Sequence, residues 1–158
     1  MKISEATHIS QMNPSQFIGQ AWRTVNGSRQ LVEINYLDSD WPNGYAFHFN
    51  RLQETISSDG CATGAFDEAG RLIGFATVNR EVFGHRVRYV LLDQLFISLE
   101  SRRMGIGKTL FLLSADAARE WGANRLYICA GSAKETIDFY LALGCREAVE
   151  IDEELYAS

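Results

Sequence analysis

Tyr89–Leu113 reads YVLLDQLFISLESRRMGIGKTLFLL, and three elements follow from it. The apolar run Tyr89–Ile97 has the density of a strand buried on both faces. Arg102 to Lys108 is a basic turn carrying Gly105 and Gly107. From Ile106 the apolar positions Leu110, Leu113, Ala117 and Trp121 recur at helical spacing, and Gly122 stands where a helix C-cap glycine belongs. A helix start leaves its first backbone N–H groups unpartnered and carries partial positive charge, so anions bind there. The turn holds three cationic side chains and no carboxylate, although cations at a helix start oppose its dipole. Gly105 and Gly107 let a ligand's phosphates approach the main chain. The expectation is a site for pyrophosphate-like groups.

Spacing separates the families that use such turns. Gly107-Lys108-Thr109 ends like a P-loop, but the pattern G-x-x-x-x-G-K-[ST] needs glycine where this chain has Arg102, which argues against a nucleotide-binding switch. A dinucleotide fingerprint starting at Gly105 would need a third glycine where Leu110 stands. Arg102-Arg103-Met104-Gly105-Ile106-Gly107 instead resembles the Q/R-x-x-G-x-G/A turn of the GCN5-related N-acetyltransferases. Thr136–Cys145, TIDFYLALGC, resembles that family's A-x-x-F-Y-x-x-x-G-F segment, with threonine for the usual alanine and cysteine for the usual phenylalanine. Ala133 replaces the asparagine often found before the last helix, with Ser132 beside it.

That resemblance implies an α/β (α+β) fold: a mixed, mostly antiparallel central sheet with splayed fourth and fifth strands and helices on both faces. It implies acetyl-CoA as co-substrate, held by Phe96 and Ile97 of the fourth strand, by Arg102, Arg103, Met104, Gly105, Ile106, Gly107 and Lys108 of the turn, and by Ser132. Transfer would go directly to a primary amine, of a small molecule or a peptide amino terminus, in a ternary complex. Tyr140 aligns with the tyrosine that serves as general acid near the sulfur; read from the residues alone, at helical spacing with Ile137 and Leu141, it is a core tyrosine. A backbone N–H near Phe96 or Ile97 would stabilise the oxyanion. Asp93 and Glu33 are the candidate bases, with solvated or structural carboxylates the alternative. A non-catalytic acyl-CoA-binding sensor or assembly module of the same fold is the competing reading.

The 158 residues, 46% of them hydrophobic, suit a single domain over 1–158. A net charge of −5 argues against nucleic acid or an anionic membrane as partner. No apolar stretch approaches the ~20 residues of a membrane span, and the start has no signal-peptide character, so a cytoplasmic location is expected. Cys61, Cys129 and Cys145 are odd in number and, like His8, His48 and His85, scattered, so no metal site is legible. A homodimer is compatible with this size.

Elsewhere the sequence predicts a short strand or extended entry over Lys2–Ile9 and a helix from Pro14 to Val25, capped by Asn13 and ended by Asn26-Gly27. It predicts a second helix on Tyr45, Phe49, Leu52 and Ile56, and a hairpin of Cys61–Phe66 with Arg71–Asn79. A fifth strand is expected over Arg125–Ala130, then a last helix opened by a Ser132/Glu135 capping box and stopped by Gly144. Cys145–Glu150 and Glu154–Tyr156 read as final strands. The acidic, aromatic segment around Tyr36, Asp38, Asp40, Trp41 and Tyr45 suits a cationic acceptor.

Overall fold

The buried run of the sequence is a central strand, β5 (Tyr89–Ile97), in a four-stranded sheet. A computed structural model describes residues 1–157. The sheet order is β3 (Cys61–Phe66), β4 (Leu72–Val78), β5, β6 (Arg125–Ile128); β3, β4 and β5 pair antiparallel and β5 with β6 parallel. Leu72 and Phe75 of β4, three apart, reach one core with Leu52 of α1 (Tyr45–Ser57) because the register with β3 slips between Gly74 and Leu72, while Ala76 and Val78 face another core with Leu110 and Ala118 of α2 (Ile106–Glu120). Helices therefore cover both faces, as expected, and each fully buried Phe75, Leu72 or Leu52 side chain contributes about 1.5–3 kcal/mol. α3 (Lys134–Ala142) lies on the α2 side, with Tyr140 in that core.

β5 and β6 pair only from Tyr89 opposite Arg125 to Leu92 opposite Ile128. Beyond that point β5 runs on alone on this edge, and a bulge leaves Asp93 without a partner on β4, since Thr77 meets Gln94 and Val78 meets Leu92. This is the splay expected of the family's fourth and fifth strands.

Several local expectations are corrected. Gln16–Val25 is not a helix but strand β1, paired antiparallel with β2 (Ser28–Asp38) as a separate two-stranded sheet. Asn26 and Gly27 both have positive φ, 49° and 79°, and join them as a two-residue hairpin turn. Asn13 Oδ1 accepts the Ser15 N–H at 3.1 Å, a local turn rather than a helix cap. Lys2–Ile9 is not a strand; Ile3–Gln11 forms a 3₁₀ helix that buries Ala6 and Ile9, three apart, with Glu5 accepting the Lys2 N–H at 2.6 Å.

α3 begins after Ala133 with no side-chain cap, because the Ser132 hydroxyl accepts from the Arg23 guanidinium instead. Cys145–Glu150 forms no strand. It is held by the Glu150 carboxylate, which takes the N–H groups of His85, Arg86 and Val87 at 2.9, 2.7 and 2.8 Å. Glu153–Ala157 is a short helix, α4, whose Leu155 N–H goes to Asp152 Oδ1 at 3.0 Å.

Candidate active site

The basic turn sits where β5 ends. Arg103 and Gly105 take left-handed conformations, φ 63° and 82°, and the first backbone hydrogen bond of α2 runs from Thr109 N–H to Gly105 O at 3.1 Å. The N–H groups from Arg103 to Lys108 have no hydrogen-bond partner among the described residues. Arg103 and Lys108 are exposed and form no ion pair among the described residues. A left-handed arginine costs about 1–2 kcal/mol, strain of the kind found where a loop serves a ligand. Unpartnered amides, two free cations and an open approach at Gly105, where nothing lies within 4 Å of a Cβ, fit a diphosphate. Ile106 packs into the core beneath, and Met104 stands exposed above it.

Gly107 has a second reason to lack a side chain: a Cβ there would stand 3.2 Å from two ring carbons of Phe139. The turn and α3 are therefore in close contact, and α3 carries Tyr140. That residue packs against Phe111 and Phe139, at ring-centroid distances of 6.3 and 5.1 Å. Its hydroxyl has no hydrogen-bond partner among the described residues. Burial, with a smaller contribution from Cys145, raises its pKa well above the ordinary tyrosine value. It stays protonated at neutral pH, the state a proton donor needs.

Arg102 is held by the protein's own main chain. Its half-buried guanidinium donates to Ile97 O at 3.0 Å and Pro14 O at 3.3 Å, tying the turn to β5 and to the start of β1. Burial lowers its pKa. The same anchor involves Glu100, which accepts from Asn13 Nδ2 at 2.6 Å and Ser98 Oγ at 3.0 Å; neither Asn13 nor Glu100 had any motif to reveal it.

Strand geometry also revises the oxyanion donor. Ser98 N–H reaches Ile73 O at 2.8 Å across β4, and alternate residues of a strand point to alternate edges. The Phe96 N–H therefore faces β4, whereas the N–H groups of Leu95 and Ile97 face the open edge beside β6. Phe96 instead places its ring against Trp41 and His48, with centroids 5.1 and 4.8 Å apart. Leu95 was legible only through this register.

Asp93, at the bulge, has its side chain 4% exposed, and both carboxylate oxygens are engaged by Arg51 of α1, one of them by Nε at 2.9 Å. Removing a proton from an amine would mean breaking that pair. Glu33 stands exposed on β2 opposite Gln20, on the hairpin that shares no ladder with the main sheet. The structure does not bring the two carboxylates together. Ser132 is taken up by β1, its carbonyl by Trp22 N–H at 2.8 Å and its hydroxyl by Arg23. Trp41 is 6% exposed and belongs to the core, so it is closed to an acceptor.

The acetyltransferase (GNAT) family model matches residues 31–145. The chain belongs to the acetyltransferase (GNAT) family. GNAT enzymes are acetyl-CoA-dependent N-acetyltransferases and take acetyl-CoA as co-substrate. No curated protein sequence matches the chain. Among solved structures, nourseothricin acetyltransferase is similar at TM-score 0.68 and 19% identity, over 89% of this chain and 76% of that one. A Bacillus anthracis str. Ames protein described as a streptothricin acetyltransferase, in complex with acetyl coenzyme A, gives TM-score 0.68 at 14% identity, over 90% and 79%. AAC(6')-Iy in complex with the bisubstrate analog CoA-S-monomethyl-acetylneamine gives 0.57 at 22%, over 71% and 80%. At these identities the likenesses establish the GNAT fold. No described helix is long and apolar enough to cross a membrane.

Proposed function

We propose that this GNAT protein transfers the acetyl group of acetyl-CoA to a primary amine, on a small molecule or an amino terminus, by direct attack in a ternary complex. The observation that carries this reading is the unpartnered run of N–H groups from Arg103 to Lys108 at the end of a strand whose last five residues have an open edge. In it, the coenzyme's diphosphate lies on those amides, with Arg103 and Lys108 as charge partners. Its pantetheine arm pairs with the Leu95 and Ile97 main chain, which brings the thioester to the bulge at Asp93. An N–H of this edge donates to the developing oxyanion, and Tyr140 gives its proton to the departing thiolate. Holding both substrates there contributes several kcal/mol to lowering the barrier.

The amine's proton leaves through water, since Asp93 is committed to Arg51 and Glu33 lies on the other sheet. Antibiotic acetyltransferases among the structural neighbours support a small-molecule amine as acceptor. Three free cysteines fit a cytoplasmic location.

Calorimetric titration with acetyl-CoA, followed by a mass-spectrometric screen of amines, tests this. Saturable binding and a product heavier by one acetyl group are expected. Binding with no product from any amine would favour the sensor reading, and no binding at millimolar coenzyme would remove both.

A further inference from the structure

The N-terminal hairpin has one engaged edge and one open edge. On β1, Trp22 N–H reaches Ser132 O at 2.8 Å and Ala21 bridges Ala133. On β2, no main-chain group is bonded outside the ladder with β1 among the described residues. A two-stranded sheet is marginal in water and gains from a further strand. The side chains agree, since Ile34, Tyr36 and Leu37 of β2 are all exposed.

The Trp22 bond also tells which groups of β2 face outward. Opposite residues of an antiparallel pair either exchange both bonds or turn both sets away. Trp22 N–H points away from β2, so its partner Leu31 turns its N–H and C=O to the open edge. Arg29 and Glu33, two residues to either side, do the same, and the three side chains share one face. The chain itself makes little use of the two charges. Arg29 meets Glu147 at 3.2 Å in a pair whose side chains are 54% and 93% exposed, worth little in water, and Glu33 is exposed with no ion pair among the described residues.

This edge is complementary to itself. Two copies paired antiparallel about Leu31 set Arg29 of each against the partner's Glu33, and Leu31 against the partner's Leu31, so every outward-facing residue of the segment exchanges bonds. Centring the pairing on Arg29 or Glu33 would oppose like charges. Centring it on Gln30 sets Glu33 against the partner's turn, and centring it on Val32 sets Arg29 against the partner's bulge at Asn35, where φ is 50°. The contact is isologous, and because the outer edge of each β1 is already engaged by Ser132 and Ala133, strand addition stops at two copies.

We propose that the β2 edge is a dimerisation surface whose occupant is a second copy of this chain, the two hairpins joining into one four-stranded sheet with reciprocal Arg29–Glu33 pairs about Leu31. The pairing requires no acetyl transfer and stands whether or not coenzyme binds.

Sedimentation of the full chain over about 1 to 100 μM tests this. A reversible monomer–dimer equilibrium is expected, weakened by added salt. Arg29→Glu, and separately Glu33→Arg, places like charges opposite each other and should raise the dimer Kd by about tenfold or more. Mixing the two variants should restore a dimer containing one copy of each, because every acidic position then meets a basic one. Leu31→Pro removes an N–H that β1 does not use, so the hairpin is kept while the dimer is lost. A chain that stays monomeric at about 100 μM, a dimer that both charge variants leave intact, or charge variants that fail to associate on mixing overturns the proposal.

Discussion

Phe139 lies so close to Gly107 that a Cβ on the glycine would stand 3.2 Å from two of the ring's carbons. This contact joins the phosphate-binding turn to the helix carrying Tyr140, so the two halves of the site are in register through one ring. Gly107→Ala is expected to push Phe139 by a few tenths of an ångström, destabilise the fold by about 1 kcal/mol and weaken acetyl-CoA binding. Phe139→Leu in the same chain should recover part of both. Thermal unfolding and coenzyme titration of the two variants decide the matter, and an unchanged midpoint with unchanged affinity in Gly107→Ala would show the contact to be slack.

Tyr140→Phe should leave acetyl-CoA affinity within about twofold and lower kcat by roughly tenfold to a hundredfold, since only the proton transfer is removed. Burial raises this hydroxyl's pKa, so its ionisation sets no alkaline limb of kcat below pH of about 10. The fold favours the neutral phenol. That stabilisation is complete below the unfolded value and is lost as pH rises through the folded one. Above pH of about 10 the phenylalanine variant should therefore lose stability less steeply than the parent. An equal kcat in the two proteins would leave Tyr140 as a core residue only.

Much of this was legible because it depends on short-range rules. The strand Tyr89–Ile97, the turn and the helix from Ile106 follow from a continuous apolar run, two glycines and a 3.6-residue period, and the structure has them within a residue or two. The N-terminal hairpin is hidden because Phe17, Ile18, Ala21, Trp22 and Val25 satisfy a helical spacing, whereas a strand sends the neighbours Phe17 and Ile18, like Ala21 and Trp22, to opposite faces. What decides between them is pairing with Leu31–Leu37 across Asn26-Gly27, a tertiary fact. The C-terminal segment failed for a similar reason: Glu150 is placed by three amides 63 to 65 residues away. Arg51, which takes up Asp93, belongs to no motif. A side chain's partner across the core leaves no period in the sequence.

The Arg51 and Asp93 pair gives a third test. The carboxylate is buried and the guanidinium is 38% exposed, so Arg51→Met should destabilise by about 2 kcal/mol, below the usual cost of orphaning one member of a fully buried pair. Arg51→Met with Asp93→Leu should recover most of it. Asp93→Asn keeps an acceptor at the bulge and should retain turnover within about tenfold. Urea unfolding and steady-state rates measure these. Abolished turnover in Asp93→Asn, with coenzyme affinity intact, would instead make Asp93 the base.

Glu150 tethers the C-terminal segment to the loop before β5, and the N–H groups it accepts, that of His85 foremost, hold its pKa below the ordinary glutamate value. A depressed folded pKa contributes stability that is present above the unfolded value, near 4.3, and lost as pH falls through the folded one, so the tether should hold at neutral pH and release in acid. Glu150→Gln carries no charge and offers one carbonyl oxygen to three donors. Its melting temperature should fall below that of the parent at pH 7, with the gap closing as pH drops through 4. The amides of His85, Arg86 and Val87 should exchange with solvent faster in the variant. If the gap is as wide in acid as at neutrality, the charge is not what binds this segment, and it is held instead by Tyr127, whose hydroxyl takes the Asp152 N–H at 3.2 Å.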